Sequence, residues 1–474
     1  MKAVLPVLDD SRNRPYYLQL YDYLKEAILS GSIAEGERLP SLRGLAKTTG
    51  LSLTTVEKAY NQLLVEGYIH SRAQSGYYAD RVSGTRGSTV PSEEELFEQK
   101  LSGPGGEEPA AAPPMRYDPD CFDFNKWKKC VNRILTEHSS ALFFEGSPQG
   151  EISLREEISR YLYRSRGFSC TPDQIFIGAG TQQITGLLAT ILKDLDIEHV
   201  ALESPGYTPV RSTFRERGFA ITDVAVKEDG LALEKLPVNI RAAAYVSPSN
   251  HAITGSVMPI GRRYEMIRWA VANDSYIIED DYDSELRYFG RPILPIRSLE
   301  GEDRVIYLGS FSSTLFAAVR ISYMVLPPQI ARRFARQLAD YSPTCSKLEQ
   351  LTLAMFMETG LYQTHIRKLR KLYAQKLALV LDILRREAAD LVSVRNTASG
   401  ISLLLTPAQA DAADVPAAPV TSGAPLTPDK IKRDAASLGI PAVSSDDRIL
   451  LNYNQIPMSE ISGLFRRLIQ SWRS

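Results

Sequence analysis

From about residue 116 onward, short apolar runs alternate with amphipathic helical stretches, and this alternation constrains the fold more than any other feature of the chain. IFIGA (175–179), HVALES (199–204), AAAYVS (242–247), SYIIED (275–280) and RVIYLGS (304–310) read as strands with helices between them. Strands and helices in that order predict an α/β domain with a largely parallel sheet. After residue 330 the pattern turns mainly helical, through ARRFARQLADY and then EQLTLAMFMETGLYQTHIRKLRKLYAQKLALVLDILRRE, and it ends in a few strands and a last helix. The expectation is one domain over 116–474, with a large subdomain at about 150–330 and a smaller one at about 331–474.

The first eighty residues have a different texture, dominated by helical period, and residues 81–115 differ again. That middle stretch is rich in Gly, Pro, Ser and Glu and poor in large apolar residues. It reads as a flexible linker with one short helix at SEEELFEQKL. The chain has 474 residues, 44% hydrophobic, with a formal net charge of −1, so any contact with nucleic acid must come from a local patch. Its four cysteines form no CxxC pair and stand beside no metal-spaced histidine, which suits reduced thiols. There is no apolar signal core and no membrane-length apolar run. The chain therefore reads as cytoplasmic.

Within residues 12–80, YYLQLYDYLKEAILS places Leu18, Tyr21, Leu24, Ile28 and Leu29 on one helical face. SLRGLAKTTG forms a second helix ended by Gly50. Ser52 then offers an N-cap to LTTVEKAYNQLLVEG, whose Val56, Tyr60, Leu63 and Leu64 face inward. GYIHSRAQSGYYAD alternates around a glycine turn, as a two-stranded wing does. Three helices and a wing are a DNA-reading architecture, with the third helix in the major groove. Residues 38–76 carry five cations (Arg38, Arg43, Lys47, Lys58, Arg72) against two anions (Glu57, Glu66). Phosphate contacts dominate affinity for DNA, although charge alone fits an ordinary solvated face equally well. The segment resembles the GntR-type winged helix–turn–helix through G-x-x-L-P-S-x-R-x-L-A, T-V-x-x-A-Y and E-G-Y-I-x-S-x-x-x-S-G-Y. That resemblance implies a double-stranded DNA operator as partner. It puts Arg38, Ser41, Arg43, Ser52, Thr54, Thr55, Lys58, Arg72 and Gly76 at the DNA. One departure is Leu53, where the family usually has an arginine after the serine.

In the larger domain, three segments carry chemistry. GAGTQQIT (178–185) follows a strand and opens a helix, so Gly180, Thr181 and Gln182 can present N–H groups and a hydroxyl to a phosphate. YIIEDDYDSELRY (276–288) ends a strand in an acidic cluster, and an Asp at that end is placed to face a ligand. SFSSTLFAAVR (310–320) supplies Arg320. Read alone, the first is equally a tight turn, the second a helix cap or acidic loop, and the third a surface arginine. Taken in order, and together with FFEGSPQGEISLREEISRYLYRSRGF, ESPGYTPVR and VSPSNHAITGSVMP, they resemble the MocR/GabR-type regulators. Those fuse a GntR-type reader to a fold-type-I aminotransferase-like domain that uses pyridoxal 5′-phosphate (PLP). The resemblance implies that Asp280 pairs with the pyridine nitrogen and Tyr282 reaches O3′. Gly180, Thr181, Gln182, Ser310, Ser312 and Arg320 would hold the phosphate, and Tyr207 would lie near the cofactor or effector. It also implies a homodimer.

The lysine of the family's S-F-S-K-T-L is Ser313 in this chain. Only an amine can form an imine with the PLP aldehyde, so no catalytic residue is assigned and PLP is expected to bind non-covalently if at all. Two further departures fall in the same site. Ile253 stands where the family often has proline, and Leu450 stands where aminotransferases often have a carboxylate-binding arginine. Arg448 and Arg211 are other candidates for that carboxylate. The leading expectation is a DNA-binding regulator that senses a vitamin B6 vitamer or an amino acid without transaminase turnover. The alternatives are an aminotransferase with residual activity, and a PLP-independent repressor whose large domain only dimerises.

Overall fold

The computed structural model of the chain describes residues 14–72, 75–80, 118–227, 229–251, 253–288, 293–299, 302–395, 400–408, 426–445 and 448–473. The chain divides into two compact units, Met1–Glu107 and Glu108–Ser474. The linker expected over 81–115, with its short helix, lies outside the described residues.

In the first unit, helices α1 (Tyr16–Leu29), α2 (Leu42–Thr49) and α3 (Leu53–Val65) precede a hairpin of β1 (Ile69–Arg72) and β2 (Gly76–Ala79). Leu20, Tyr21, Leu24 and Ile28 of α1 pack on Val56, Ala59, Tyr60 and Leu63 of α3. Leu29, expected to point inward, is 40% exposed, and Leu20 occupies the core instead. Each residue turns a helix by about 100°, so Leu29 rotates off the stripe that ends at Ile28. The Ser41 and Ser52 side chains cap α2 and α3, and Gly50 ends α2 with a left-handed φ of 72°.

The second unit begins with α4 (Phe124–Glu137) and α5 (Ile152–Arg166) and is built on an eight-stranded sheet. Its strands are β3 (Ile175–Gly178), β4 (His199–Ser204), β5 (Ala220–Lys227), β6 (Gly230–Leu231), β7 (Ala242–Val246), β8 (Tyr276–Asp280), β9 (Val305–Ser310) and β10 (Ser322–Val325). They lie in the order β3-β10-β9-β8-β7-β4-β5-β6. β5, β4, β7, β8 and β9 run parallel, while β10 is antiparallel to both β9 and β3. All five runs read as strands from the sequence are strands; β5, β6 and β10 went unread. The crossovers include α6 (Thr181–Asp194), α7 (Thr208–Glu216) and α8 (Ile260–Ala272). Both sheet faces are buried: Ile278 of β8 enters one apolar cluster and its neighbour Ile277 enters another, as the strand period of two requires.

Three helices follow: α9 (Pro328–Gln337), α10 (Lys347–Glu358) and α11 (Leu361–Glu387). The helical stretch that begins at Glu349 is broken at Gly360, whose φ of 75° no helix interior accepts. A four-stranded antiparallel sheet completes the small subdomain. It contains β11 (Val392–Arg395), β12 (Ser402–Pro407), β13 (Ala442–Ser445) and β14 (Arg448–Asn452), in the order β11-β12-β14-β13. Helices α12 (Pro428–Ser437) and α13 (Met458–Arg473) pack with α11 over that sheet around Leu403, Leu451, Phe465 and Trp472. No described helix is long and apolar enough to cross a membrane, and all four cysteines are free.

Candidate nucleic-acid interface and ligand cradle

The nine residues expected at DNA lie on α2, α3, the hairpin and the segment that leads into α2. Ser41 Oγ accepts from the Gly44 N–H at 3.1 Å, and Ser52 Oγ accepts from the Thr55 N–H at 3.2 Å. Ser52 Oγ also lies 2.8 Å from the hydroxyls of both Thr54 and Thr55. The start of α3 is thus a cluster of three hydroxyls, with the neighbouring Leu53 44% exposed. Arg43 and Lys58 are exposed, and Lys58 sits over the Tyr17 ring at 5.9 Å. Arg38 forms a β-bridge with Tyr78, and its guanidinium passes 3.3 Å from where a Cβ on Gly76 would stand. Gly76 has a φ of 119°. Arg72 lies 4.6 Å over the Tyr78 ring, while His70 stacks on the same ring and bonds Asp80 at 2.7 Å. The sequence reading missed this aromatic support of the wing. Its signal was the alternation in YIHSR and GYYAD.

In the second unit, sheet topology gathers the candidate residues. Gly180–Gln182, Tyr207, the Asp280–Asp283 turn and Ser310–Ser313 follow the carboxyl ends of β3, β4, β8 and β9. Arg320 precedes β10, which runs the opposite way, so it reaches the same end of the sheet. Ligands bind at that end of open α/β sheets.

One end of the candidate site is formed by the N-terminus of α6 and Arg320. Gly180 caps α6 with a φ of 93°, and a Cβ there would fall 2.1 Å from an Arg320 guanidinium nitrogen. Arg320 is itself left-handed, with a φ of 48°, a conformation rarely tolerated outside a constrained site. Ser310 Oγ accepts from the Ser312 N–H at 3.3 Å and bonds Ser322 Oγ at 2.9 Å, while Ser312 Oγ is buried without a partner. A helix N-terminus, a guanidinium and an unused buried hydroxyl form a set that fits a phosphate.

The other end of the candidate site is acidic. Strand alternation separates the carboxylates of β8 and the turn that follows. Glu279 turns away and accepts from the Ile296 and Arg297 N–H groups at 2.7 and 2.9 Å. Asp281, on the same face, pairs with Arg166 and accepts from the Tyr307 hydroxyl, both at 2.5 Å. Asp280, on the opposite face, accepts from the Tyr245 hydroxyl at 2.5 Å. Burial pushes the Asp280 carboxyl up to about 6, against the pull of Tyr245. A protonated pyridine nitrogen would offset that burial, so Asp280 fits the ring of PLP. Burial and the Asp283 charge push the Tyr282 phenol well above its ordinary value, with Asp280 and Tyr207 as further acidic neighbours. Tyr207 is 55% exposed.

Ser313 faces a fourth acid, Asp283. Asp283 is 3% exposed and has a φ of 56°. Neither of its carboxylate oxygens meets hydrogen-bond geometry with any described donor. Burial raises it to about 7, and the nearby Ser313 and Tyr282 hydroxyls pull it back toward ionisation. Lys376, the one fully buried lysine among the described residues, is held by the Asp118 carboxylate and donates to the Asn454 carbonyl at 2.5 Å. Of the arginines considered for a ligand carboxylate, Arg211 is paired with Asp223. Arg448 shares a face of β14 with Leu450. Tyr245, Asp283 and Ser322 were missed: nothing in a strand tyrosine or in an acidic run marks which residue points into a site.

The comparisons with known proteins match these two parts. Residues 16–78 match the gntR family of bacterial regulatory proteins, and residues 116–415 match aminotransferase class I and II. The HTH-type transcriptional regulator YdeL of Bacillus subtilis is 37% identical, over 85% of this chain and 86% of its own length. The probable rhizopine catabolism regulatory protein MocR of Rhizobium meliloti is 31% identical, over 84% of this chain and 83% of its own. The pyridoxine biosynthesis transcriptional regulator PdxR of Corynebacterium glutamicum is 32% identical, over 81% and 82%. Among solved structures, the α-aminoadipate aminotransferase LysN of Thermus thermophilus aligns with a TM-score of 0.63 at 21% identity, covering 76% of this chain and 91% of that one. At that identity the likeness shows the fold alone.

Proposed function

Because this chain belongs to the MocR-type transcriptional regulators, which join a gntR-family reader to a class I/II aminotransferase-like domain, we propose that it binds an operator in double-stranded DNA and senses a PLP-related or amino-acid ligand without transaminase turnover. The observation that carries this reading is the pairing of a phosphate-fitting cradle and a ring-facing Asp280 with a serine at position 313. PLP, when bound, supplies an aldehyde that an amine can attack and a ring that withdraws electrons. The chain's own part is narrower. Thr181, Gln182, Ser310, Ser312 and Arg320 would hold the phosphate, and Asp280, oriented by Tyr245, would hold the ring nitrogen. Tyr282 would reach O3′, and Ser313 offers no amine for covalent attachment. Lys376 is already held by Asp118.

Ligand binding alters regulation only if the ligand has different affinities for two states of the protein. A homodimer, with one reader for each half-site, is the assembly that suits a two-fold operator.

The test is the absorbance spectrum and intact mass of the purified protein before and after PLP, with calorimetry alongside. Heat of binding with no covalent mass gain supports the reading. A borohydride-fixed adduct in the native protein would show an active anchor elsewhere. No heat with any vitamer or amino acid would leave the large domain as a dimerisation platform.

A further inference from the structure

Beside Ser313, where the 4′ carbon of a bound B6 phosphate would lie, the cradle carries a buried acid with no ion-pair partner among the described residues. Asp283 is held in a left-handed conformation at 3% exposure; neither oxygen meets full hydrogen-bond geometry with a described donor, and the groups that lie near enough to pull on it are the Ser313 and Tyr282 hydroxyls. Its neighbours include the Tyr282 and Ser313 hydroxyls, with Tyr288, Tyr373 and Tyr453 also close enough to sense its charge. These are phenols and an alcohol; Arg166 and Arg287 line the same small pocket, but Arg166 is paired with Asp281 and neither arginine is ion-paired with Asp283 among the described residues. A carboxylate taken out of water without an ion-pair partner is costly, so a compensating cation would stabilise it. The position that would supply an ammonium is Ser313, and serine cannot.

We propose that the ligand brings the missing cation: the site selects a vitamin B6 phosphate whose 4′ carbon bears an amine, and the Asp283 carboxylate accepts from that ammonium. The inference rests on the cradle reading above and narrows it from PLP-related compounds to the amine form. The phosphate and ring contacts are common to every B6 phosphate, so they hold the ligand without distinguishing one form from another. Discrimination falls to the 4′ substituent and therefore to Asp283.

Two probes of nearly the same shape isolate this contact. Pyridoxamine 5′-phosphate carries an ammonium at 4′, and pyridoxine 5′-phosphate carries a neutral hydroxyl. Calorimetry on the full-length protein at neutral pH should show the amine bound about tenfold or more tighter, the scale of one charge-assisted hydrogen bond. In Asp283→Asn the affinity ratio should fall to about threefold or less. Ser313→Lys should lower it too, because the chain then supplies its own ammonium. The wild-type ratio needs no variant to fold. If both probes bind the wild type within about threefold, the inference falls while the cradle reading stands. A ratio that survives in Asp283→Asn would also overturn it. If neither probe binds, the cradle reading itself fails and this inference goes with it.

Discussion

The two ends of the ligand cradle differ in what they leave unsatisfied. At the end formed by the α6 N-terminus, Arg320 crowds the space above Gly180 and has no carboxylate partner among the described residues. That end presents positive charge and N–H groups that fit an anion. At the other end, beside Ser313, Asp283 is a buried acid with no ion-pair partner among the described residues. Holding a cofactor and reacting with it are separable demands, and the groups for each lie on different loops. On the proposed reading, the α6 turn and the β10 entry would serve holding, while the segment after β9, with Ser313, would offer no reacting amine.

The sharpest way to break this contrast is to restore the amine. Ser313→Lys should give, on mixing with PLP, a visible band and a borohydride-fixed mass increase that the native protein lacks. An identical band in both proteins would remove the distinction between the ends. Next in size, Arg320→Ala should weaken binding of a B6 phosphate by about ten- to a hundredfold in calorimetry, the range for a hydrogen bond to a charged group. An unchanged affinity would place the phosphate elsewhere. In the reader, Arg43→Ala should weaken binding to all DNA sequences alike and lower the salt slope of log K by about 1 in an anisotropy titration. A loss confined to one sequence would instead make Arg43 a base-reading residue. Smaller still, Ser52→Ala removes the cap of α3 and should lower the reader's stability by about 1 kcal/mol in chemical denaturation.

How much of this was legible in the sequence depended on whether the signal was local. Strand alternation separates Asp280 from Glu279 and Asp281, and a reader of YIIEDD can apply it. The caps at Ser41 and Ser52 are local too. Tyr245 was not legible: it acts on Asp280 from a neighbouring strand 35 residues away, and a tyrosine in AAAYVS reads only as core. Asp283 was hidden in an acidic run, because only the turn after β8 decides that it is buried beside Ser313. Gly360 shows the opposite failure. Its conformation is local, but the helical period on both sides was strong enough to mask it. The choice of Leu20 over Leu29 turned on about one residue of helical phase at a helix end, where period is weakest.

The smallest expected effect concerns the wall of the cradle. Glu203, at the end of β4, accepts from the Ser247 N–H at 2.9 Å and lies 3.6 Å from His251. The contact has the geometry of an ion pair, but burial drives the two groups apart. It raises Glu203 to about 8, with Asp280 adding to the rise, and it lowers His251 to about 4. Between those values both are neutral. An acid raised in the folded state holds its proton longer than it does in the unfolded chain, whose carboxyl titrates near 4.5. Stability must therefore fall as pH rises from about 4.5 to about 8 and level off above. Glu203→Gln removes this titration and keeps an oxygen for the Ser247 N–H. Asp280, Asp283 and His251 titrate in both proteins and largely cancel in the difference. The melting temperature of the variant minus that of the wild type should therefore climb by a few degrees, on the scale of about 1 kcal/mol, between pH 5 and pH 8.5. A difference that stays flat, or falls, would mean that Glu203 is ionised in the folded protein and paired with His251 after all.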